Sequence, residues 1–211
     1  FFRDYIIQGW NDKGKFEFLI SVWKTNKKLP EAKRIKVIAV DTPREFTEEG
    51  LRKNTIDRDV FMSNYIVNYL NTKKDKRNSL FIVGSGHVAK SQETSGKILT
   101  SKMPGKVYTI FTHCPRVDNY MKIPERIRGG MFDYAFYYNE DKPVAFDLRN
   151  SPFGREAFDG LYFDGIGSFQ ENFDGYIFFG SLDKELNAEP LYDLYDDKFV
   201  SEIDRRYRLY G

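Results

Sequence analysis

Apolar residues recur at helical spacing in two parts of the chain. In GKFEFLISVWK they recur every three or four positions from Phe16 to Trp23, and Pro30 follows soon after the pattern ends, so a helix is expected there. The stretch TIDRDVFMSNYIVNYL, residues 55–70, has a similar stripe through Met62, with acids in its first turn, where the helix dipole favours negative charge. The pattern therefore predicts a second helix over 55–70.

Three short apolar runs are typical of strands buried on both faces of a sheet. They are IKVIAVD at 35–41, LFIV at 80–83 and KVYTIFTHC at 106–114. Longer segments separate them, and parallel neighbours need such crossovers, so we expect these strands to be parallel. Asp41, His87 and His113 would then follow the carboxyl ends of their strands, where ligands bind in such sheets.

The last third of the chain has a different pattern. Three further strand-like runs are FDYAFYYN, PVAFDL and FDGYIFFG, and the first two are close enough for a hairpin. Residues 149–172 lack periodicity and predict a long irregular loop, while the charged tail 193–211 is expected to end in a helix. Together the patterns predict an α/β fold with a mainly parallel central sheet flanked by helices, and an antiparallel portion toward the C-terminus.

Composition limits the classes of protein to consider. A chain of 211 residues is long enough for one domain with a real core, so a single α/β domain over residues 1–211 is expected. Aromatic residues make up 17%, which predicts a core built largely of rings. The formal charge of +2 provides no electrostatic footprint for nucleic acid. No apolar run approaches the roughly 20 residues that span a bilayer.

Cysteine usage and the first residues leave the compartment open. The single cysteine, Cys114, cannot form an internal disulfide and does not distinguish reducing from oxidising compartments. The chain begins FFRDYIIQGW, without an initiating Met or the regions of a signal peptide, so we expect that upstream sequence is missing. Neither localisation nor oligomeric state follows from the sequence.

His87 is the strongest candidate for chemistry, because imidazole transfers protons near neutral pH. Gly84 and Gly86 would let the backbone turn tightly beside it and approach a ligand. The alternative is a structural histidine bonded to nearby backbone. Arg58, near the start of the second predicted helix, needs a partner if it points inward; otherwise it lies along the surface with its stem packed.

The second histidine and the glycine-rich turn allow other interpretations. His113 and Cys114 are adjacent on a strand and so point to opposite faces, which argues against a thiol–imidazole pair. His113 is then a second polar group at the site or a structural residue. GSGHVAKS at 84–91 matches a phosphate loop apart from Ala89, where that loop has glycine, so nucleotide binding is a minor alternative. No metal-ligand spacing such as H-E-x-x-H occurs.

Three segments, in this order, carry a family resemblance: FLISVWKTNKKLPEAKRIKVIAVD, DRDVFMSNYIVNYL and LFIVGSGHVAK. They resemble the middle of the erythromycin esterase family, which is related to the broader ChaN and Tiki group. The late run NFDGYIFFGSL is similar to the family's closing strand, so the resemblance covers residues 16–90 and 172–191. The residues that match the family pattern are Trp23, Asn26, Asp41, Arg58, Asp59, Asn64 and His87. The family's upstream Gly-Glu-x-x-His motif does not occur in this chain, and Gly84 stands where macrolide esterases have another histidine.

The resemblance implies hydrolysis of an ester or similar bond of a small-molecule substrate by activated water. In that interpretation His87 and Arg58 contact the reacting group, Asp41 and Asp59 orient them, and the catalytic base lies upstream. The substrate contacts are then His113, Gly86 and Asn64. The first alternative is a ChaN-like protein that binds haem or another small ligand without catalysis, and by the same analogy a divalent metal or haem is the cofactor to test. A structural or interaction domain without catalysis is the second.

Overall fold

The described residues belong to two compact units. The computed structural model describes residues 13–42, 46–53, 57–72, 78–114, 126–159, 166–181 and 195–210. One unit comprises residues 1–56 with 186–211, and the other comprises residues 57–185. The expected single domain over residues 1–211 stays a prediction.

Helices dominate the described residues, and the strands are short. In chain order the helices are α1 (Lys13–Lys28), α2 (Glu48–Lys53), α3 (Arg58–Thr72), α4 (Ser95–Lys102), α5 (Met131–Tyr137), α6 (Pro152–Arg155), α7 (Phe169–Asn172) and α8 (Asp197–Tyr210). The strands are β1 (Ile110–Thr112), β2 (Val144–Asp147) and β3 (Gly175–Phe178). Short turns of 3-10 helix cover Glu31–Lys33, Ser85–His87 and Ile127–Gly130. The mixed α/β class is therefore confirmed.

The predicted helices are present as α1, α3 and α8. Helix α3 starts where the Asp57 carboxylate accepts hydrogen bonds from the backbone N–H groups of Asp59 (2.9 Å) and Val60 (3.1 Å). These bonds satisfy donors that the first turn leaves unpaired, so Asp57 caps the helix. The helix predicted over 55–70 is thus confirmed from its cap onward. Residues 55–56 lie outside the described residues.

Two of the predicted buried strands are absent from the described structure. The strands predicted at 35–41 and 80–83 are wrong, because both segments lie outside regular hydrogen-bonded secondary structure. The Asn26 side chain holds the first segment by accepting from the Ile35 N–H (2.7 Å) and donating to the Ile35 carbonyl (2.8 Å). An apolar run indicates a preference for burial, but a strand forms only where a second strand provides the hydrogen-bond ladder, and the described residues provide none here.

The sheet has three strands in the order β1–β3–β2. Strand β1 pairs parallel to β3, with Ile110 opposite Gly175. Strand β2 pairs antiparallel to β3, with Val144 opposite Phe178. The strands predicted in KVYTIFTHC, PVAFDL and FDGYIFFG are confirmed by these elements. The described sheet is small and mixed, so a mainly parallel central sheet is not confirmed.

The segment FDYAFYYN forms helix α5, and its prediction as a strand is wrong. Phe132 and Phe136 lie one turn apart and are both buried, while Tyr134 and Tyr138 are exposed with their hydroxyls 2.8 Å apart. A spacing of four fits the period of a strand and that of a helix, so the sequence pattern does not separate them. The predicted hairpin with PVAFDL is wrong for the same reason, and β2 pairs with β3 instead.

The core of the second unit is built of aromatic rings, as the composition predicts. Its largest fully buried rings are Phe132, Phe158, Phe169, Phe173, Tyr176 and Phe178. Phe136 stacks on Phe178 with the ring centroids 4.0 Å apart, and Phe111 meets the edge of Phe158 at 5.8 Å. The loop predicted over 149–172 includes α6 and α7 and contributes rings to this core, so it is not wholly irregular.

Candidate functional site

Asp59 joins the first turns of two helices. It lies in the first turn of α3, and its Oδ1 accepts hydrogen bonds from the backbone N–H (2.6 Å) and the hydroxyl (2.7 Å) of Ser95, where α4 begins. Unpaired N–H groups at a helix start need acceptors, and the helix dipole favours negative charge there. The carboxylate is thereby held in place, with its side chain 17% exposed.

His87 contacts the same carboxylate. It ends the 3-10 turn Ser85–His87, and its Nδ1 lies 3.0 Å from Asp59 Oδ1 and 2.9 Å from Oδ2. A carboxylate only accepts hydrogen bonds, so Nδ1 carries the proton and Nε2 is the acceptor in the neutral ring. The imidazole is 26% exposed, and within the described ranges its Nε2 has no hydrogen-bond partner.

The Asp59–His87 pair has the arrangement that a general base needs. A fixed carboxylate behind an imidazole holds the tautomer and the orientation of the ring, and it stabilises the imidazolium that forms on proton uptake. The exposed part of the ring leaves room for water or a ligand beside it. The sequence predicts both residues, and the structure brings them together across 28 positions of the chain.

The segment after His87 is anchored to the sheet. Lys90 donates from Nζ to Asp174 (2.7 Å) and from its backbone N–H to the Asn172 carbonyl (3.0 Å). Asp174 also accepts from the backbone N–H (2.8 Å) and the hydroxyl (3.0 Å) of Thr109. Burial raises the pKa of Asp174, but the hydrogen bonds from Lys90 and Thr109 outweigh it, so that pKa lies below its usual value. These bonds fix the loop near the amino ends of β1 and β3.

The glycine-rich turn does not have the geometry of a phosphate loop. Helix α4 begins at Ser95 and not directly after Lys90, and Lys90 is paired with Asp174, so the strand–loop–helix arrangement is missing. Gly84 has a φ of −58°, and Gly86 is not among the described glycines with positive φ. Ordinary residues adopt such angles, so the backbone conformation of this turn does not itself require glycine, and the approach of Gly84 and Gly86 to a ligand stays a prediction.

The remaining predicted site residues have other described surroundings. Arg58 directly precedes the site carboxylate in α3 and is half-buried. Asn64 accepts a hydrogen bond from Lys102 Nζ and so joins α3 to α4. Asp41 belongs to the other unit, where its Oδ1 accepts from the Thr42 N–H (2.8 Å). The catalytic and binding roles predicted for these residues stay predictions.

His113 lies in the aromatic core, with its side chain 1% exposed. Its Nδ1 lies 2.6 Å from the Tyr176 hydroxyl, and its Nε2 lies 3.4 Å from Asp133 Oδ1. A neutral ring that accepts from the hydroxyl and donates from Nε2 satisfies both contacts. Burial raises the pKa of the Tyr176 hydroxyl, and the nearby Cys114 and Asp133 raise it further, so the hydroxyl stays protonated as a donor. Substrate contact by His113 stays a prediction.

The two histidines are not joined by the described contacts. The loop after His87 bonds through Lys90 to Asn172 and Asp174, which precede β3, whereas His113 follows the carboxyl end of β1. Asp41 lies in the other unit. The expected gathering of all three residues at one sheet edge therefore has no support in these contacts.

Ser95 is a site residue that sequence reasoning missed. One local signal was available, because Thr94 caps α4 by accepting from the Lys97 N–H (3.4 Å), and a hydroxyl residue before an apolar period indicates a helix start. Its contact with a carboxylate 36 positions away has no local signal.

Comparisons with protein-family models, with curated proteins and with solved structures find no match for this chain. Among the residues that the structure describes, no helix is both long and apolar enough to cross a membrane. Within the same ranges, no group of three or more His, Cys, Asp or Glu side chains is placed to hold a metal ion.

Proposed function

We propose that this chain carries the histidine of a hydrolase site acting on an ester or similar bond of a small molecule. The observation that carries the proposal is the contact between His87 Nδ1 and the Asp59 carboxylate, at 2.9 Å to the nearer oxygen. That contact favours the tautomer whose Nε2 accepts a proton. A largely buried carboxylate behind a partly exposed imidazole is the pairing by which many hydrolases activate a nucleophile.

In the proposed reaction, His87 Nε2 takes a proton from water as the water oxygen bonds to the carbonyl carbon. The carbonyl electron pair moves to its oxygen, and the tetrahedral intermediate then expels the alkoxide, which takes the proton back from the imidazolium. Asp59 stabilises the imidazolium between the two steps. We assign Arg58 to the oxygen that becomes negative, because a guanidinium stabilises an oxyanion. The contact between Asp59 and His87 favours His87 as the general base. The family resemblance instead implies a base in sequence that precedes this chain.

Hydrolysis of p-nitrophenyl esters, followed by release of p-nitrophenol, tests the proposal. Asp59→Asn keeps the shape of the side chain but lets an amide N–H face the imidazole, which favours the wrong tautomer. His87→Gln removes the base. We expect kcat/KM to fall roughly 10²–10⁴-fold in each variant.

Asp57→Asn is the matched control for this experiment. It makes the same chemical change two residues away, at the cap of α3. Because asparagine caps a helix as well as aspartate does, kcat/KM should stay within about twofold of the wild type. Absence of ester hydrolysis by the wild-type chain would contradict the proposal. Equal losses in all three variants, accompanied by a lower Tm, would contradict it too, since that pattern indicates a structural role.

The same geometry favours a second function, the binding of haem without catalysis. A histidine whose Nδ1–H is held by a carboxylate is typical of a metal-ligating imidazole, and haem needs one such axial ligand. Titration with haemin separates the two functions. A Soret shift that is lost in His87→Gln, together with no ester hydrolysis by the wild type, favours binding. An unchanged Soret band, together with hydrolysis that Asp59→Asn removes, favours the hydrolase.

A further inference from the structure

A cleft of about 510 Å³ opens at the carboxyl end of β3, and its volume is in the range of small-molecule sites. Its lining includes Arg126, Asp133, Tyr134, Tyr137, Asp141 and Phe178. Phe178 is the last residue of β3, and ligands of α/β sheets bind beyond the carboxyl ends of parallel strands. Neither member of the Asp59–His87 pair is part of this lining.

Asp133 lines the cleft and has an unpaired carboxylate oxygen. Its side chain is nine-tenths buried, at 10% exposure. Oδ1 accepts from Arg126 Nη1 (2.6 Å) and, more weakly, from His113 Nε2 (3.4 Å). Oδ2 is buried and has no hydrogen-bond partner among the described residues. A buried carboxylate oxygen without a donor is unfavourable, so a donor that a ligand provides would stabilise this site.

The charges and rings of the described lining favour a positively charged ligand. Asp133 contributes a carboxylate to this lining, and its Oδ2, which has no donor among the described residues, favours a cation that carries N–H groups. Tyr134 and Tyr137 are exposed and line the same cleft. The faces of aromatic rings attract cations, and they also offer an apolar body a surface to pack on.

We infer that this cleft binds a small molecule that carries a primary ammonium group on an apolar or aromatic body. The ammonium N–H donates to Asp133 Oδ2, and the body packs against Tyr134 and Tyr137. A quaternary ammonium has no donor for that oxygen, and an alcohol brings a donor without the charge, so a primary amine meets both requirements. The inference uses other residues than the hydrolase proposal and does not depend on it.

Binding of 2-phenylethylamine, compared with its neutral analogue 2-phenylethanol, tests the inference on the whole chain by isothermal titration calorimetry. We expect the amine to bind at least about tenfold more tightly, because only the amine brings a charged donor to Asp133. Asp133→Asn removes the charge and should remove this preference, so that the two ligands bind within about twofold of each other.

Two further variants complete the test. Asp147→Asn makes the same change at an exposed carboxylate that pairs with Arg149 and is not in the described lining, so it should keep the preference of the wild type. Tyr137→Ala truncates an exposed ring without touching the core and should weaken amine binding roughly tenfold. This variant tests the inference even if Asp133→Asn does not fold. The inference is overturned if the wild type does not bind the amine, if it binds the alcohol as tightly, if a folded Asp133→Asn keeps the preference, or if Tyr137→Ala binds the amine like the wild type.

Discussion

Single residues of the same type have different surroundings that the local sequence does not reveal. Both histidines follow apolar runs, but His87 meets Asp59 from another helix, while His113 lies in the core between Tyr176 and Asp133. Their partners are at least 20 positions away in the chain. Residue type and a strand-like run therefore suffice to propose a histidine site, but not to separate a candidate base from a core residue.

At this scale Asp174 allows a prediction about stability and pH. The Asp174 carboxylate accepts hydrogen bonds from Lys90 and Thr109, and Asp174→Asn removes its negative charge. Because hydrogen bonds to a charged group are stronger than those to a neutral one, this change should lower the free energy of unfolding at neutral pH by about 1–3 kcal/mol. Because these bonds hold the folded-state pKa below the unfolded value, the stabilisation is present above the unfolded pKa, about 4. It is lost as the pH falls through the folded pKa. Urea unfolding, followed by circular dichroism, should show the two proteins converging in acid.

The control for this experiment is Asp147→Asn. Asp147 is an exposed carboxylate bonded to Arg149, and exposed ion pairs contribute little, so its loss should change the free energy of unfolding clearly less. A difference between the wild type and Asp174→Asn that stays constant from neutral to acid pH would contradict the assignment of the stabilisation to the charged carboxylate.

At the scale of secondary-structure elements, a helix cap and close backbone packing fix where α4 starts. Helix α4 follows Thr94, whose hydroxyl donates to the Ala89 carbonyl (2.5 Å). In its first turn, Gly96 lies directly against the Val88 carbonyl, closer than any side chain would permit. The absence of a Cβ at this position therefore lets α4 approach the loop that carries the candidate base.

Gly96→Ala tests this close approach. A Cβ at this position would lie 1.9 Å from the Val88 carbonyl oxygen, and because the obstacle is backbone, the helix start has to move. We expect a loss of about 1–3 kcal/mol in the free energy of unfolding, although alanine is the better helix former. Gly84→Ala is the control, since its Cβ would meet only His87 Cδ2 at 3.9 Å. Equal shifts in Tm for the two variants would argue against the packing explanation.

For the whole molecule, the three predicted helices are present, whereas three of the six predicted strands are absent from the described residues. Helices α1, α3 and α8 have periodicity and charge signals within their own segments, so local reasoning finds them. The runs at 35–41 and 80–83 have the composition of strands but lack strand partners among the described residues. Of the candidate site, Asp59 and His87 can be named from the sequence, whereas their contact with each other and with Ser95 cannot.

The exposed apolar run at 80–83 allows a prediction about association. Leu80 and Ile82 are 79% and 69% exposed, and apolar segments without a strand partner tend to associate between molecules. We expect the sedimentation coefficient to rise with concentration, and the double variant Leu80→Lys with Ile82→Lys to reduce that rise. Tyr207→Lys changes an exposed residue of α8 and should leave the rise unchanged. A sedimentation coefficient that is independent of concentration in the wild type would contradict this prediction.

Local pattern alone predicts a helix in each of the segments that form α1 and α3, and composition predicts the aromatic character of the core. Residue type makes His87 a candidate, whereas Asp59 becomes one only through the family resemblance. Long-range contacts settle the rest, namely that FDYAFYYN is a helix, that β2 pairs with β3, and that His87 and not His113 keeps a ring nitrogen without a described partner. The physical reason is that helix hydrogen bonds, caps and dipoles act between residues a few positions apart. Strand pairing, burial and acid–imidazole contacts join residues far apart in the chain, so no short stretch of sequence determines their free energy.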